Sequence, residues 1–334
     1  MAISEGLPVV PAFQLDIQTD EERWLIRSIW GRGAVGMIGG TPKSYKTWMG
    51  LEMAFSVATG LTFLGKFAVE HRGRALVYLA EDALPLVRAR IESLCAHHGV
   101  DIRALDLHVI TAPELRLDLA SYQEKLRQTV ERLRPQLILL DPLVRLHRLD
   151  ENNASEMSGL LGYLRALQRE HDVAVVLVHH VSKRARPQPG QALRGTSDLH
   201  AWTDCAAYLA WNNERLHLTL EHRAARPPEP MVIDLVSGPN VAGVHLEVRG
   251  EVAASQASEK TPLMDRVISA LRHTATPMTR GELRDALKVN NERLGTALAA
   301  LRENNRVRQT PKGWTLPGRD NQATDGDQGC LPQM

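Results

Sequence analysis

Cysteine is nearly absent from this chain. Cys95, Cys205 and Cys330 are the three in 334 residues. They are odd in number, far apart and without metal or redox spacing, which argues against a disulfide framework and for a reduced cytosolic compartment. Long apolar runs are also missing: none approaches the roughly 20 residues that span a bilayer. Residues 1–15 carry neither a basic start nor a sustained apolar centre, so no secretory signal is expected. Excess charge is lacking too, the formal net being +1, so any nucleic-acid surface must be local. What remains is 43% hydrophobic and 24% charged, a soluble chain long enough for one large domain and a small one.

The chain is organised around residues 34–47. The apolar run Ala34 to Ile38 reads as a buried strand, Gly39 and Gly40 break it, and Lys46-Thr47 open an amphipathic helix through about Thr59. Strand, glycine-led loop and Lys-Thr at a helix start form the layout of a phosphate-binding P-loop. Glycine lets the backbone approach an anion, successive N–H groups nest around it, and the helix N-terminus adds unpaired donors. Lys46 would reach the β- and γ-phosphates of ATP, and the Thr47 hydroxyl would bind Mg²⁺. The whole run Gly39, Gly40, Thr41, Pro42, Lys43, Ser44, Tyr45, Lys46, Thr47, Trp48 is expected to line the nucleotide. Tyr45 stands where the pattern G-x-x-x-x-G-K-[ST] asks for glycine, so it must accept the backbone angles that the loop imposes.

Further signals follow in order. Trp24 and Trp30 read as core packing, with a wall for a nucleotide base as the competing role. Arg74 to Ala80 is a second strand ending on Glu81-Asp82, where ligands bind in open α/β sheets. Glu81 suits water activation, and Asp82 suits a cap on the next helix, Leu84 to His98. After a short strand at 107–110 and a helix at 121–134, Gln136 to Leu140 runs into Asp141, a strand-end carboxylate placed to hold Mg²⁺. A helix is expected from Asp150 to His171, then a strand at 173–178 ending on His179-His180. Either histidine could sense the γ-phosphate. A zinc site is set aside because no third ligand has suitable spacing.

The segment 181–198 is basic and turn-rich. Lys183, Arg184, Arg186 and Arg194 are candidate single-stranded DNA contacts, against the alternative of a solvated charge run. A hairpin at 205–220 leads to Arg223, an arginine suited to a nucleotide held by a neighbouring subunit. Two more strands are expected at 231–235 and 244–248, then a small polar linker at 251–261. Helices at 262–272, 279–287 and 291–303 and a hairpin at 306–316 predict a winged helix. It holds ten basic and five acidic residues, a local basic footprint for DNA phosphates, or else a protein-binding module. Residues 1–22 read as a surface arm and 317–334 as a disordered tail.

Taken in this order, the motifs resemble the RecA-like P-loop AAA-family ATPases, in particular the RepA-type hexameric replicative helicases of plasmids and phages, related to the DnaB ring helicases. The resemblance covers about residues 24–235. It rests on Gly-Gly-Thr-Pro-Lys-Ser-Tyr-Lys-Thr (39–47), Leu-Val-Tyr-Leu-Ala-Glu-Asp (76–82), Leu-Ile-Leu-Leu-Asp-Pro-Leu (137–143), Asp-Glu-Asn-Asn-Ala-Ser-Glu-Met (150–157), His-His-Val-Ser-Lys (179–183) and Arg-Gly-Thr-Ser-Asp (194–198).

The resemblance implies an α/β fold: a RecA-like core (23–250) with a central, mostly parallel sheet, plus the winged helix (262–316). It implies a cytoplasmic, Mg²⁺-dependent ATP hydrolase forming a homo-oligomer, a hexamer, that acts on DNA in replication and has no membrane partner. Glu81 would be the general base and Asp141 the Walker B carboxylate. His179 or His180 would couple γ-phosphate to the DNA-facing loop, and Arg223 would be the finger supplied across the ring. Two alternatives stay open: a nucleotide-switched DNA-binding regulator and a recombinase-like filament.

Overall fold

The computed structural model describes residues 7, 9–151, 153–180, 197–212, 214–238, 242–251, 263–274, 276–287, 289 and 291–317. They fall into two compact units, 1–252 and 253–334.

In the first unit the elements are β1 (Trp24–Ile26), β2 (Trp30–Gly31), β3 (Val35–Gly40), α1 (Lys46–Thr59), β4 (Ala75–Leu79), α2 (Leu84–His98), β5 (Leu107–Val109), α3 (Ala120–Leu133), β6 (Leu137–Asp141), α4 (Ala154–His171), β7 (Ala174–His180), α5 (Ser197–Trp202), β8 (Cys205–Asn212), β9 (Arg215–His222), β10 (Met231–Val236) and β11 (His245–Glu251). One nine-stranded sheet runs β11-β10-β9-β8-β3-β7-β6-β4-β5. From β8 to β5 every neighbouring pair is parallel. From β8 outward to β11 the pairs are antiparallel.

The parallel strands are continuous apolar runs because both of their faces are covered. Alternate residues face opposite sides. In β6, Leu137 and Leu139 join the core with α1 and α2, whereas Ile138 and Leu140 join the core with α3 and α4. Gly50 sets how closely α1 approaches the sheet: a Cβ there would lie 2.8 Å from Leu139 Cδ1. Close seating of α1 on β6 keeps Thr47 beside the end of that strand. The far strand β11 returns to α2, where the His97 and His245 rings stack at 3.3 Å between centroids.

Two expectations are corrected and one is met. Helix α4 starts at Ala154, not Asp150, because Asn153 caps it by accepting from Ser155 N at 3.1 Å and Glu156 N at 3.5 Å. Asp82 does not cap α2: the cap position is Ala83, and Asp82 pairs with Arg90 instead. Trp24 and Trp30 are buried near the amino end of β3, with Trp24 edge-on to His222. They pack the core and form no wall at the P-loop end.

The second unit has α6 (Leu263–Arg272), α7 (Arg280–Leu287), α8 (Asn291–Glu303) and a hairpin of β12 (Arg308–Thr310) and β13 (Gly313–Thr315). Leu271, Leu283, Leu298 and Trp314 belong to its own core. Thr279 and Glu282 form a reciprocal capping box at the start of α7, with Glu282 N donating to Thr279 Oγ1 at 3.2 Å and Thr279 N to Glu282 Oε2 at 2.7 Å. Among the described residues, no helix is long and apolar enough to cross a membrane.

Candidate active site

The carboxyl ends of β3, β7, β6 and β4 lie side by side along one edge of the sheet. In register, Gly40 is opposite His180 across β3 and β7, and Leu79 is opposite Asp141 across β4 and β6. The crevice outside strand carboxyl ends is where open α/β sheets bind ligands. Each loop leaving this edge therefore brings a chemically useful side chain to one place.

The loop after β3 turns on two left-handed residues that are not glycine, Lys43 at φ 64° and Tyr45 at φ 60°. Tyr45 explains the departure from the P-loop pattern. Its position does need a positive φ, and the tyrosine adopts it at some steric cost. The hairpin of β8 and β9 supports that conformation. The Trp211 ring meets Tyr45 edge-on at 5.7 Å, and Trp211 Nε1 donates to Lys43 O at 3.3 Å. The loop thus keeps the P-loop shape without its usual glycine.

Inside the loop, Ser44 Oγ and Lys46 Nζ each donate to Thr41 O at 2.8 Å. Lys46 is buried. Burial lowers its ammonium pKa, while the nearby charges of Asp141 and Glu81 push it back up. A buried cation folded over its own loop carbonyl can transfer to phosphate oxygens by exchanging one acceptor for another. The first turn of α1 carries no acidic residue, so no side chain of the helix itself competes with an anion for its free N–H groups.

Asp141 ends β6 buried, at 6% exposure. Its carboxyl is pushed up to about 6, first by loss of solvent and then by the charges of Asp82 and Glu81; a hydrogen bond from Thr47 and the charge of Lys46 oppose the rise. Its Oδ2 is buried with no hydrogen-bond partner. A buried, unpartnered carboxylate oxygen beside a threonine hydroxyl is a fitting pair of hard oxygen ligands for Mg²⁺, which takes few protein ligands and keeps several waters.

The raised pKa carries a stability prediction. The folded chain holds the Asp141 proton up to about pH 6 against an ordinary value of 3.8, so it binds more protons than the unfolded chain between those values. Stability from this group is present below that window and is lost as pH rises through it. The gap is worth roughly 3 kcal/mol. Asp141→Asn is therefore expected to stabilise the metal-free protein by about 1–3 kcal/mol at pH 7.5 and by little at pH 4, as read from urea midpoints. Equal or lower stability of the variant at pH 7.5 would contradict the electrostatic account.

Glu81 follows β4 and is half exposed. Arg145 Nε donates to Glu81 Oε1 at 2.8 Å, so the carboxylate is held by a residue four positions beyond Asp141. Sequence reasoning missed Arg145. Its only signal was an arginine in the turn after the aspartate strand.

The two histidines differ in placement. His179 is buried, its Nδ1 4.0 Å from Glu151 Oε1, and His147 Nε2 lies 3.9 Å from that same oxygen. His147 and Glu151 were also missed in the sequence. Strand alternation puts His180 on the α1 face with Val178, and His179 on the α4 face with Leu177.

Arg223 is not brought to this edge. It follows β9 at the amino end of β8, pairs with Asp204 at 3.3 Å and donates to the Ala201 carbonyl. Lys183, Arg184, Arg186 and Arg194 lie outside the described residues.

A sequence profile of the AAA_25 family, described as an AAA domain, matches residues 4–186, more than half of the chain. The chain belongs to this family. Its first unit is a RecA-like P-loop ATPase core, as the ends of β3, β4 and β6 indicate. The DNA repair protein RadA of Synechocystis sp. is 25% identical over 294 residues, covering 80% of this chain and 55% of the relative. The chain thus spans about half the length of that curated relative. Among solved structures, the ATPase domain of G40P has a TM-score of 0.48 at 14% identity, covering 64% of this chain and 84% of that one. The RadB recombinase gives 0.47 at 16% identity, covering 64% and 90%. A KaiC-like protein of Pyrococcus horikoshii OT3 gives 0.48 at 15% identity, covering 66% and 93%.

Proposed function

We propose that this AAA_25 member is a Mg²⁺-dependent ATP hydrolase that assembles as a ring, a hexamer, and moves on or remodels DNA in the replication of a plasmid, phage or integrated element. The observation that carries the hydrolase reading is the buried, unpartnered Asp141 Oδ2, within electrostatic range of both Lys46 and Glu81. On binding ATP, Lys46 Nζ leaves Thr41 O for the β- and γ-phosphates, and the N-terminal amides of α1 cradle the phosphate chain. Thr47 and Asp141 would hold Mg²⁺, which when bound neutralises charge on the phosphates. Glu81 accepts the proton of the attacking water. His180, beside Gly40 on the α1 face, is better placed than His179 to hydrogen-bond the γ-phosphate. Arg223 acts in trans, leaving Asp204 for charge developing at a neighbouring subunit's site.

DNA contact is assigned to Lys183, Arg184, Arg186 and Arg194 and to the second unit, taken as a winged helix. Arg302, Arg306, Arg308 and Lys312 are exposed around its hairpin and supply positive charge for phosphates. The similarity to the DNA repair protein RadA supports a second reading equally: a recombinase-like ATPase that forms a filament on DNA without unwinding it.

The test is ATP hydrolysis by the purified protein with no DNA, with single-stranded DNA of several sequences, and with duplex DNA. Electron microscopy of the same samples completes it. Sequence-independent stimulation by single strands with closed rings is the expected result, and open filaments would select the recombinase reading. ATP binding without hydrolysis under every condition would replace both with a nucleotide-switched regulator.

A further inference from the structure

The left-handed residues of the loop after β3 pose a problem that the loop does not solve by itself. Glycine reaches that region freely, whereas a side chain resists it because its Cβ crowds the following carbonyl. Lys43 and Tyr45 both hold a positive φ. Tyr45 gains no capping bond in return: it stands at the N-cap of α1, at φ 60° and ψ 27°, and its side chain caps nothing. What lies against the loop from its first residue is β8. A Cβ at Gly40 would come within 2.7 Å of Leu209 O.

One side chain of β8 touches both left-handed residues. Trp211 Nε1 donates to Lys43 O, and the indole meets the Tyr45 ring edge-on. Alternation along β8 puts Trp211 on the face of Leu209, which belongs to the core under α1. Trp211 sits next to the tip of the hairpin, opposite Leu216 of β9, and is 45% exposed. At that exposure it is not a core residue, and both its ring and its nitrogen meet the loop.

We infer that Trp211 is a positioning residue for the nucleotide: it holds Lys43 and Tyr45 left-handed, so that the loop is shaped for phosphate before ATP arrives. In the usual pattern glycine does this through its own conformational freedom. Without the indole, Tyr45 relaxes toward negative φ, and only a fraction of the molecules keeps the binding shape. Apparent affinity falls with that fraction, while ATP once bound meets an intact site. The inference rests on the nucleotide-binding part of the proposed function, and Trp211 acts through the loop rather than on the phosphates.

Four full-length variants test it: Trp211→Ala, Trp211→Phe, Tyr45→Gly and the double variant Tyr45→Gly/Trp211→Ala. Equilibrium binding of Mg²⁺-ATP and steady-state phosphate release are measured on each and on the wild type, with thermal unfolding as the check on folding. The cost of one left-handed side chain corresponds to a factor of roughly 5–30 in an equilibrium. Trp211→Ala is expected to raise Kd and KM by up to that factor, with kcat within about twofold. Trp211→Phe keeps a ring but loses the donor, so its affinity should fall between the two. Tyr45→Gly should bind at least as well as the wild type, because glycine needs no support there. In that background Trp211→Ala should cost less than about threefold, the part that belongs to Lys43. Unchanged affinity in Trp211→Ala would overturn the inference and leave the hydrolase reading intact. An equally large loss in the Tyr45→Gly background would also overturn it, placing Trp211 on the nucleotide itself. A wild-type protein that binds no Mg²⁺-ATP would overturn both.

Discussion

Glu81→Gln is expected to lower ATP turnover by about 10²–10⁴-fold while leaving nucleotide affinity nearly unchanged. Glutamine keeps the volume and the acceptor that Arg145 Nε meets at 2.8 Å, so the loop after β4 loses only its capacity to take a proton. The side chain is half exposed, and its pair with Arg145 is a surface ion pair worth at most about 1 kcal/mol. The fold therefore tolerates the change. Steady-state phosphate release with equilibrium binding of a fluorescent nucleotide separates the two effects. A comparable loss of binding would instead make Glu81 a structural part of the pocket.

Lys46→Ala is expected to reduce both affinity and turnover. Hydrogen bonds to charged groups contribute about 1.5–3 kcal/mol each, so affinity should fall by roughly 10–100-fold. Turnover should fall further, because charge on the transferred phosphoryl is stabilised by positioned cations. The variant removes a buried ammonium whose burial lowers its pKa, so stability without nucleotide should not suffer. Calorimetric titration with ATP and thermal unfolding check the two halves. Unaltered affinity would remove Lys46 from the phosphate site.

The parts of this site legible in the sequence were those written by local pattern. β3, β4, β6 and β7 are strands buried on both faces, so they appear as short apolar runs, and the polar residue ending each run marks the functional edge. Gly39, Gly40, Lys46 and Thr47 were readable because backbone approach and helix start have fixed residue requirements. The start of α4 was misplaced because Asp150 to Asn153 is uniformly polar and only geometry shows that Asn153 is the cap.

Arg145 was not readable, since its meaning comes from a contact with Glu81 formed when β4 and β6 become neighbours. Tyr45 stood out as a departure, but its support by Trp211 depends on a hairpin far along the chain. The different placement of His179 and His180 also needed the sheet. Once β7 lies beside β3, strand alternation sends the two imidazoles to opposite faces. Arg223 shows the limit of a single chain: its present partners, Asp204 and the Ala201 carbonyl, lie away from the P-loop edge.

The most direct measurement is Mg²⁺-dependent phosphate release from ATP by wild-type protein, Lys46→Ala and Glu81→Gln, with nucleotide binding measured on the same preparations. The site described predicts turnover by the wild type, bound but unhydrolysed ATP in Glu81→Gln, and weak binding with no turnover in Lys46→Ala. Equal turnover in all three proteins would contradict it.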